Sequence, residues 1–392
     1  MNRLKHFIKL PLFLGALFSM LVGEGFAQAD QNDIQLNTIT TAVPFLLIAP
    51  DARHSGLGDG GVATTPDANS THWNPSKWAF IEEESGLAIS YTPWLRNLVN
   101  DMGIMYLSGF YRINKRTTIA GSLKYFSLGQ ITFTNDQGDE LSQHSPNEFS
   151  VDAAVGTKLS KKFGGGFAAR FIYSNLTNGI SDTKKQAMSG AVDVSSYFRD
   201  DINLFGLEGN IGVGLNISNI GAKMSYSDFT GEKDFIPTNL KLGQATKLQL
   251  DDYNSLTLIT DLNKLLVPTP QYDDQGYRIV SDESVASGMF NSFGDAPRGF
   301  EEELEEIAYS IGLEYWYETL IAFRAGYFYE HPNKGDRQYF TAGFGLRLNV
   351  FGLDASYLIA NRNNPLANTF RFTLFFNFDS FKNQKEEDIE DE

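Results

Sequence analysis

The chain has no cysteine among its 392 residues. Disulfide frameworks, thiolate metal sites and cysteine nucleophiles are therefore excluded together. Basic residues are scarce. Lys and Arg number 32 against 48 Asp and Glu, and the net charge of −16 leaves no electrostatic footprint for nucleic acid. Long apolar runs are missing as well. Beyond residue 29 the longest is Pro44-Phe45-Leu46-Leu47-Ile48-Ala49-Pro50, far short of the ~18 residues a membrane helix needs. If the chain crosses a membrane, it crosses as a closed barrel of strands, which also satisfies every backbone group in lipid. What is abundant points the same way: 36 Gly, 31 Phe, 17 Tyr and 4 Trp suit many strands better than many helices.

The first 29 residues form a separate unit. Arg3, Lys5 and Lys9 precede an apolar core from Leu10 to Val22, and Ala27-Gln28-Ala29 ends it. A basic start, a short apolar core and a small-x-small end together read as a secretory signal peptide over residues 1–29. The exported chain then begins near Asp30.

Period-two alternation recurs down the rest of the chain. Phe370, Phe372, Leu374, Phe376 and Phe378 share one face, against Arg371, Thr373 and Asn377 on the other. Phe340, Ala342, Phe344, Leu346 and Leu348 oppose Thr341, Gly343, Gly345, Arg347 and Asn349. Side chains on a strand point alternately to its two faces, so each segment has one apolar face and one polar or tiny face. A soluble sandwich shares that pattern. Length and loop parity separate the two. The segments run to about 10 residues, enough to cross a bilayer when tilted. Strands are expected near 85–94, 102–113, 116–133, 146–159, 165–177, 190–198, 207–219, 237–248, 253–264, 305–316, 319–330, 337–348, 351–361 and 368–378. Their connections alternate short and long, the signature of an outer-membrane barrel with periplasmic turns and extracellular loops. The sixth connection, Arg199 to Gly206, is longer than the rule prefers.

The fold expected is all-β: a 14-stranded antiparallel transmembrane barrel over residues 84–378. An even strand number puts both termini in the periplasm. The polar face looks inward, so Arg170, Lys241, Asp261, Glu314, Arg324, Arg347, Asp354 and Arg371 line the lumen. Lumen charges cost little compared with lipid-facing ones, which favours mutual pairing over a substrate path. The acidic tail, residues 379–392, reads as a disordered end.

Residues 30–83 do not alternate. They carry Asp51-Ala52-Arg53-His54-Ser55-Gly56-Leu57-Gly58-Asp59-Gly60-Gly61-Val62-Ala63-Thr64, then Asp67-Ala68-Asn69-Ser70 and Trp73-Asn74-Pro75. Gly56, Gly58 and Gly61 spell G-x-G-x-x-G, but Pro50 precedes and Pro66 follows. A dinucleotide site would need a strand before and a helix after. The glycines, with Asn74 and Pro75, read instead as tight-turn chemistry in a confined space. Asp51 and Arg53 belong to the same plug-like piece.

These residues carry a resemblance. The glycine stretch followed by Asp-Ala-x-Ser and Asn-Pro is similar to the hatch of FadL-type outer-membrane barrels. Pro44 to Arg53, Trp73-Asn74-Pro75-Ser76-Lys77, Ser90-Tyr91-Thr92-Pro93-Trp94-Leu95-Arg96 and Tyr125-Phe126-Ser127-Leu128-Gly129 resemble the PorV (LptO) family within that group. The resemblance covers nearly the whole exported chain and is densest over residues 42–135. It implies a fourteen-stranded barrel with the N-terminal hatch, residues 30–83, folded inside. It also implies an outer-membrane role in the type IX secretion system of Bacteroidetes. The partners implied are a very large translocon barrel (SprA or Sov), cargo bearing a C-terminal signal domain, and an attachment complex with the sortase PorU. Outer-membrane lipid and lipopolysaccharide would surround it.

No motif supplies chemistry. His54, His72, His144 and His331 form no H-x-H or H-E-x-x-H spacing, so no metal site or cofactor is expected. No G-x-S-x-G marks a nucleophile elbow. His54 stands next to Ser55, but adjacent residues do not normally place base and nucleophile together. An enzyme is not expected. The interaction candidates are two connections. The ninth holds Met289, Phe290, Phe293 and Phe300 among glycines, with five acids around Leu304; the first holds Trp94, Leu95 and Leu98. Exposed loop aromatics mark binding surfaces, although they also pack on a barrel mouth or dip into headgroups. Three functions compete: a cargo-binding secretion component, a transporter of hydrophobic small molecules, and a lipopolysaccharide deacylase.

Overall fold

The computed structural model describes residues 37–95, 101–134, 137, 139–176, 186–226, 233–273, 275, 278–279, 281–360 and 366–379. Fourteen antiparallel strands close into one barrel. Numbered in chain order they are β1 (Ser85–Pro93), β2 (Gly103–Arg112), β3 (Thr117–Ser127), β4 (Asn147–Lys158), β5 (Phe163–Asn175), β6 (Ala187–Leu204), β7 (Leu207–Gly221), β8 (Asn239–Gln249), β9 (Asn254–Leu265), β10 (Ile307–Tyr317), β11 (Ile321–Tyr329), β12 (Gln338–Arg347), β13 (Phe351–Ile359) and β14 (Phe370–Asn377). Each strand pairs with its chain neighbours. The ring closes where β1 meets β14, in register from Gly86↔Asn377 to Tyr91↔Phe372. Closure removes the open edges that invite aggregation.

The pattern of burial is inverted relative to a soluble protein. On β14, Phe370, Phe372 and Leu374 are exposed on the outside, while Arg371 and Thr373 are buried. On β5, Phe167 and Phe171 face out and Arg170 faces in. Leaving one such apolar side chain in water forgoes roughly 1.5–3 kcal/mol, so this surface is built for a hydrocarbon solvent. Among the described residues no helix is long and apolar enough to cross a membrane; the strands do so.

Two strands depart from the expected boundaries. The third ends at Ser127, not 133, because Gly129 takes a left-handed φ of 80° and breaks the ladder. Residues Ile131–Thr134 and Glu140–His144 form a separate hairpin beyond it. The sixth runs from Ala187 to Leu204, well past the expected 190–198. Arg199, Asp200 and Asp201 read as loop, yet they pair with Gly212, Ile211 and Asn210 on β7. The sixth connection is therefore only Phe205-Gly206, both with positive φ, a two-residue hairpin turn whose twist matches its strands. Short turns then alternate with long loops around the whole barrel. One end is the turn end and the other the loop end.

Residues 37–83 run through the lumen. Where they pass the wall, the wall gives way. A Cβ on Gly326 of β11 would lie 2.1 Å from the Gly58 backbone nitrogen, so only glycine admits that crossing.

Candidate functional site

The inner segment is held together by its own polar residues. Asp51 caps the short helix Ala52–Ser55 by accepting from the His54 backbone N–H. The Asp51 carboxylate also accepts from His54 Nδ1 at 2.8 Å and from Trp73 Nε1 at 2.7 Å. His54 Nε2 lies 3.0 Å from Thr64 Oγ1. The Thr64 hydroxyl donates to the Gly61 carbonyl, and the Lys77 ammonium donates to Thr64. Asp51, His54 and Thr64 resemble a triad in outline and, all three buried, staple the inner segment together. Ser55 is not the partner of His54.

A second set of contacts fastens this segment to the wall. Arg53 grips Glu314 of β10 through Nε at 3.0 Å and Nη2 at 2.9 Å, and Asp67 through Nη1 at 2.9 Å. Glu314 is shared with Arg324, which reaches Asp354, which in turn holds Arg347. Asp59 takes Arg371 at 2.9 Å and the Tyr339 hydroxyl at 2.5 Å. Asp261 accepts from the backbone N–H of Gly61 and Val62. Asn74 donates to the carbonyls of Val62 and Ser196 and accepts from the Ser76 N–H, with Pro75 buried beside it. Arg170 pairs with Asp152 and Asp193, and Lys241 sits 4.5 Å from the centre of the Trp73 ring. All eight lumen charges expected from the sequence face inward, and each binds another charge, an inner backbone group or a buried ring. A Cβ on Gly56 would lie 3.1 Å from the Gly343 Cα of the wall. Gly56 and Gly58 let the segment touch the wall, at Gly343 and Tyr327, whereas a Cβ on Gly61 would strike His54 and Trp73 within the segment itself.

Near the loop end the inner segment enters an apolar cluster. Val43, Phe45 and Leu46 cluster with Ile104, Phe126 and Ile172. Lys124 of β3, which no sequence signal singled out, donates to the carbonyls of Leu46 and Ile48 and pins that turn. Trp94 packs against the same cluster rather than standing free. Leu95 is half-buried with a left-handed φ of 47°. Leu98 lies outside the described residues. The first connection therefore offers no free aromatic among the described residues.

The ninth connection is different. Between Leu266 and Glu306 it has ten acidic and two basic residues, half of the chain's net charge of −16. Glu302, Glu303 and Glu306 are buried and serve as a latch. Lys264 of β9 holds Glu303 and Glu306, while Lys334 holds Glu302 and Glu306. Arg298 binds Glu305. On this frame Phe290 is 79% exposed and Phe300 77%, with Phe293 and Leu304 also exposed and Met289 half-buried. Sequence reading took the acids around Leu304 as part of the binding surface. The structure turns most of them inward, because Lys264 and Lys334 come from distant strands and loops.

Burial pushes the Glu302 carboxyl up, but donors from Lys334, the Arg298 backbone and Asn37 outweigh it and hold Glu302 below the ordinary carboxylate range. Glu305 is lowered in the same balance by Arg298 and Asn333. Asp295 is raised by burial despite bonds from Thr269. A carboxylate with a depressed folded pKa contributes stability above its unfolded pKa and loses it as pH falls through the folded one. Asp295 has the opposite sign and opposes the latch at neutral pH. The two lowered acids set the direction. Hydrogen exchange of residues 281–306 is expected to stay slow at neutral pH and to rise once the pH drops below the ordinary carboxylate range. Exchange that is flat down to full carboxylate protonation would discount the latch.

A closed, fourteen-stranded antiparallel barrel with an apolar exterior is an outer-membrane protein. Its family follows from the match of residues 29–272 to the type IX secretion system protein PorV: the chain belongs to the PorV family. Its role is accordingly that of an outer-membrane component of type IX secretion. No curated protein matches by sequence. Solved structures are similar in fold. A mutant of the TodX monoaromatic hydrocarbon channel aligns with 11% identity and a TM-score of 0.50, covering 83% of this chain and 98% of that one. The toluene transporter TbuX of Ralstonia pickettii aligns with 10% identity and a TM-score of 0.43, covering 84% and 97%. A FadL homologue of Pseudomonas aeruginosa aligns with 12% identity and a TM-score of 0.41, covering 85% and 99%.

Proposed function

We propose that this barrel is the non-catalytic member of the secretion machinery that docks beside the translocon barrel, binds cargo through its C-terminal signal domain and delivers it to the PorU-type attachment complex. In this reading residues 1–29 are a cleaved leader, residues 30–83 a fixed hatch, and the acidic tail 379–392 a solvated end. The turns face the periplasm of a Bacteroidetes cell and the loops face out. Phe290, Phe293, Phe300 and Leu304 are the contact residues, with Met289 beneath them.

One observation carries this reading: large aromatic groups stand out on a loop that is itself latched by buried ion pairs. Aromatic anchors supply most interface energy, and a preorganised loop loses less entropy on binding. Small-molecule transport is less well supported, since the apolar chamber it needs is occupied by Val43, Phe45 and Leu46. Deacylation is less well supported, because His54 contacts Asp51 and Thr64 inside the barrel, all three of them buried.

An affinity pull-down of the full chain from outer membranes, read by mass spectrometry, tests the assignment. Recovery of a very large barrel protein and of cargo with a shared C-terminal domain supports it. Recovery of bound lipid without protein would shift the assignment to transport.

A further inference from the structure

The inner segment crosses the barrel once, in one direction, and it starts at the loop end. Asn37 is tied there twice. Its backbone N–H donates to the Asn333 carbonyl at 3.0 Å, and its side-chain amide donates to Glu302 Oε1 at 2.9 Å. Both partners belong to loops, one between β11 and β12, the other between β9 and β10. The Ala42 N–H then donates to the Phe235 carbonyl in the loop between β7 and β8. Val43 takes φ 48°, an uncommon conformation for a β-branched residue that turns the chain downward. Phe45 and Leu46 follow in the apolar cluster, fastened by Lys124. Residues 53–62 then meet Glu314 and Asp261 of the wall. Pro75–Phe80 lie against the β4 and β5 glycines Gly156, Gly164 and Gly166 beside a turn. β1 then begins at the turn end. The barrel's own ends, Ser85 and Asn377, therefore lie at the turn end, and Asn37 lies at the loop end. Strand parity fixes only the ends of the strands; it says nothing about a segment threaded through the lumen.

We propose that the Asn37 end of the inner segment faces the outside of the cell, while the barrel's carboxyl end at Asn377 faces the periplasm. Thr38 and Thr40 are exposed beside the acidic loop. Asn37 and the exposed Thr38 and Thr40 then stand on the same outward end as the acidic loop. This inference rests on the loops facing out, and its test separates the two claims.

The chain has no cysteine, so a single introduced thiol reports its own position. Thr40→Cys, Asn291→Cys in the aromatic loop and Lys161→Cys in the β4–β5 turn are each made in the full chain. Intact cells are treated with a polymer-coupled maleimide too large to pass the outer membrane, and a periplasmic marker protein monitors leakage. Labelling after denaturation controls for thiol availability, and Thr38→Cys repeats the measurement at a second position. Labelling of Thr40→Cys as strong as that of Asn291→Cys, with Lys161→Cys protected, is the expected result. Labelling of Asn291→Cys with both Thr positions protected overturns the proposal and leaves the orientation of the barrel intact. Labelling of Lys161→Cys with Asn291→Cys protected overturns the orientation and the proposal with it.

Discussion

The double replacement Phe290→Ser and Phe293→Ser is expected to leave the barrel inserted and heat-resistant while cargo recovered with it falls at least about tenfold. Both rings are exposed, Phe290 at 79% and Phe293 at 54%. Removing them therefore takes no core contact from the barrel itself. Lys264 Nζ lies 5.9 Å from the centre of the Phe293 ring, but that lysine is also held by Glu303 and Glu306, so the latch survives. An interfacial aromatic anchor is worth roughly 2–4 kcal/mol on truncation, and two of them should abolish detectable capture. Quantitative co-purification of cargo is the measurement. Unchanged recovery, with the variant normally folded, would remove this loop from the binding surface.

Arg53→Ala is expected to loosen the hatch, lowering stability by about 3–5 kcal/mol, the cost of breaking a buried pair from one side. Arg53 is the residue through which the inner segment grips β10, bidentate on Glu314 and bound to Asp67. Its loss leaves Asp67 without its guanidinium partner, while Glu314 keeps Arg324. The strands remain closed by their own ladders, so the damage concentrates in the plug. Denaturation in detergent should show an earlier transition, and planar bilayers should show a higher ion conductance than with the parent protein. Arg53→Lys keeps the charge but not the fork, and an intermediate result is expected. A variant as stable and as closed as the parent would mean that the hatch is held elsewhere.

The barrel was legible because its signal is local. Alternation of Phe370, Phe372 and Leu374 with Arg371 and Thr373 needs no knowledge of any other strand, and the structure keeps each of these residues on its expected face. The sixth strand was cut short for the same reason. Arg199, Asp200 and Asp201 look like loop when burial is the guide, yet Asp200 binds Lys162 at 2.7 Å and the strand continues beyond that pair. Within the plug, Asp51 and Asn74 were legible as turn-formers, because capping is also local. Thr64 as the partner of His54 was not, and neither was Lys124 beneath Leu46.

What the sequence alone determined is therefore the class of molecule: an apolar outside, a charged inside, fourteen crossings and a glycine-rich segment that does not alternate. These are properties of period two and of composition, and each residue carries its own share of them. Only the tertiary structure decided who meets whom. Arg53 and Glu314 are 261 positions apart, and Asp59 and Arg371 are 312 apart. Their pairing depends on the height at which the inner segment passes each strand. The same holds for the acidic loop, whose carboxylates turn inward only because Lys264 and Lys334 arrive from elsewhere in the barrel. It holds too for the direction in which the hatch is threaded, which is set by three loop contacts rather than by any repeat in the chain.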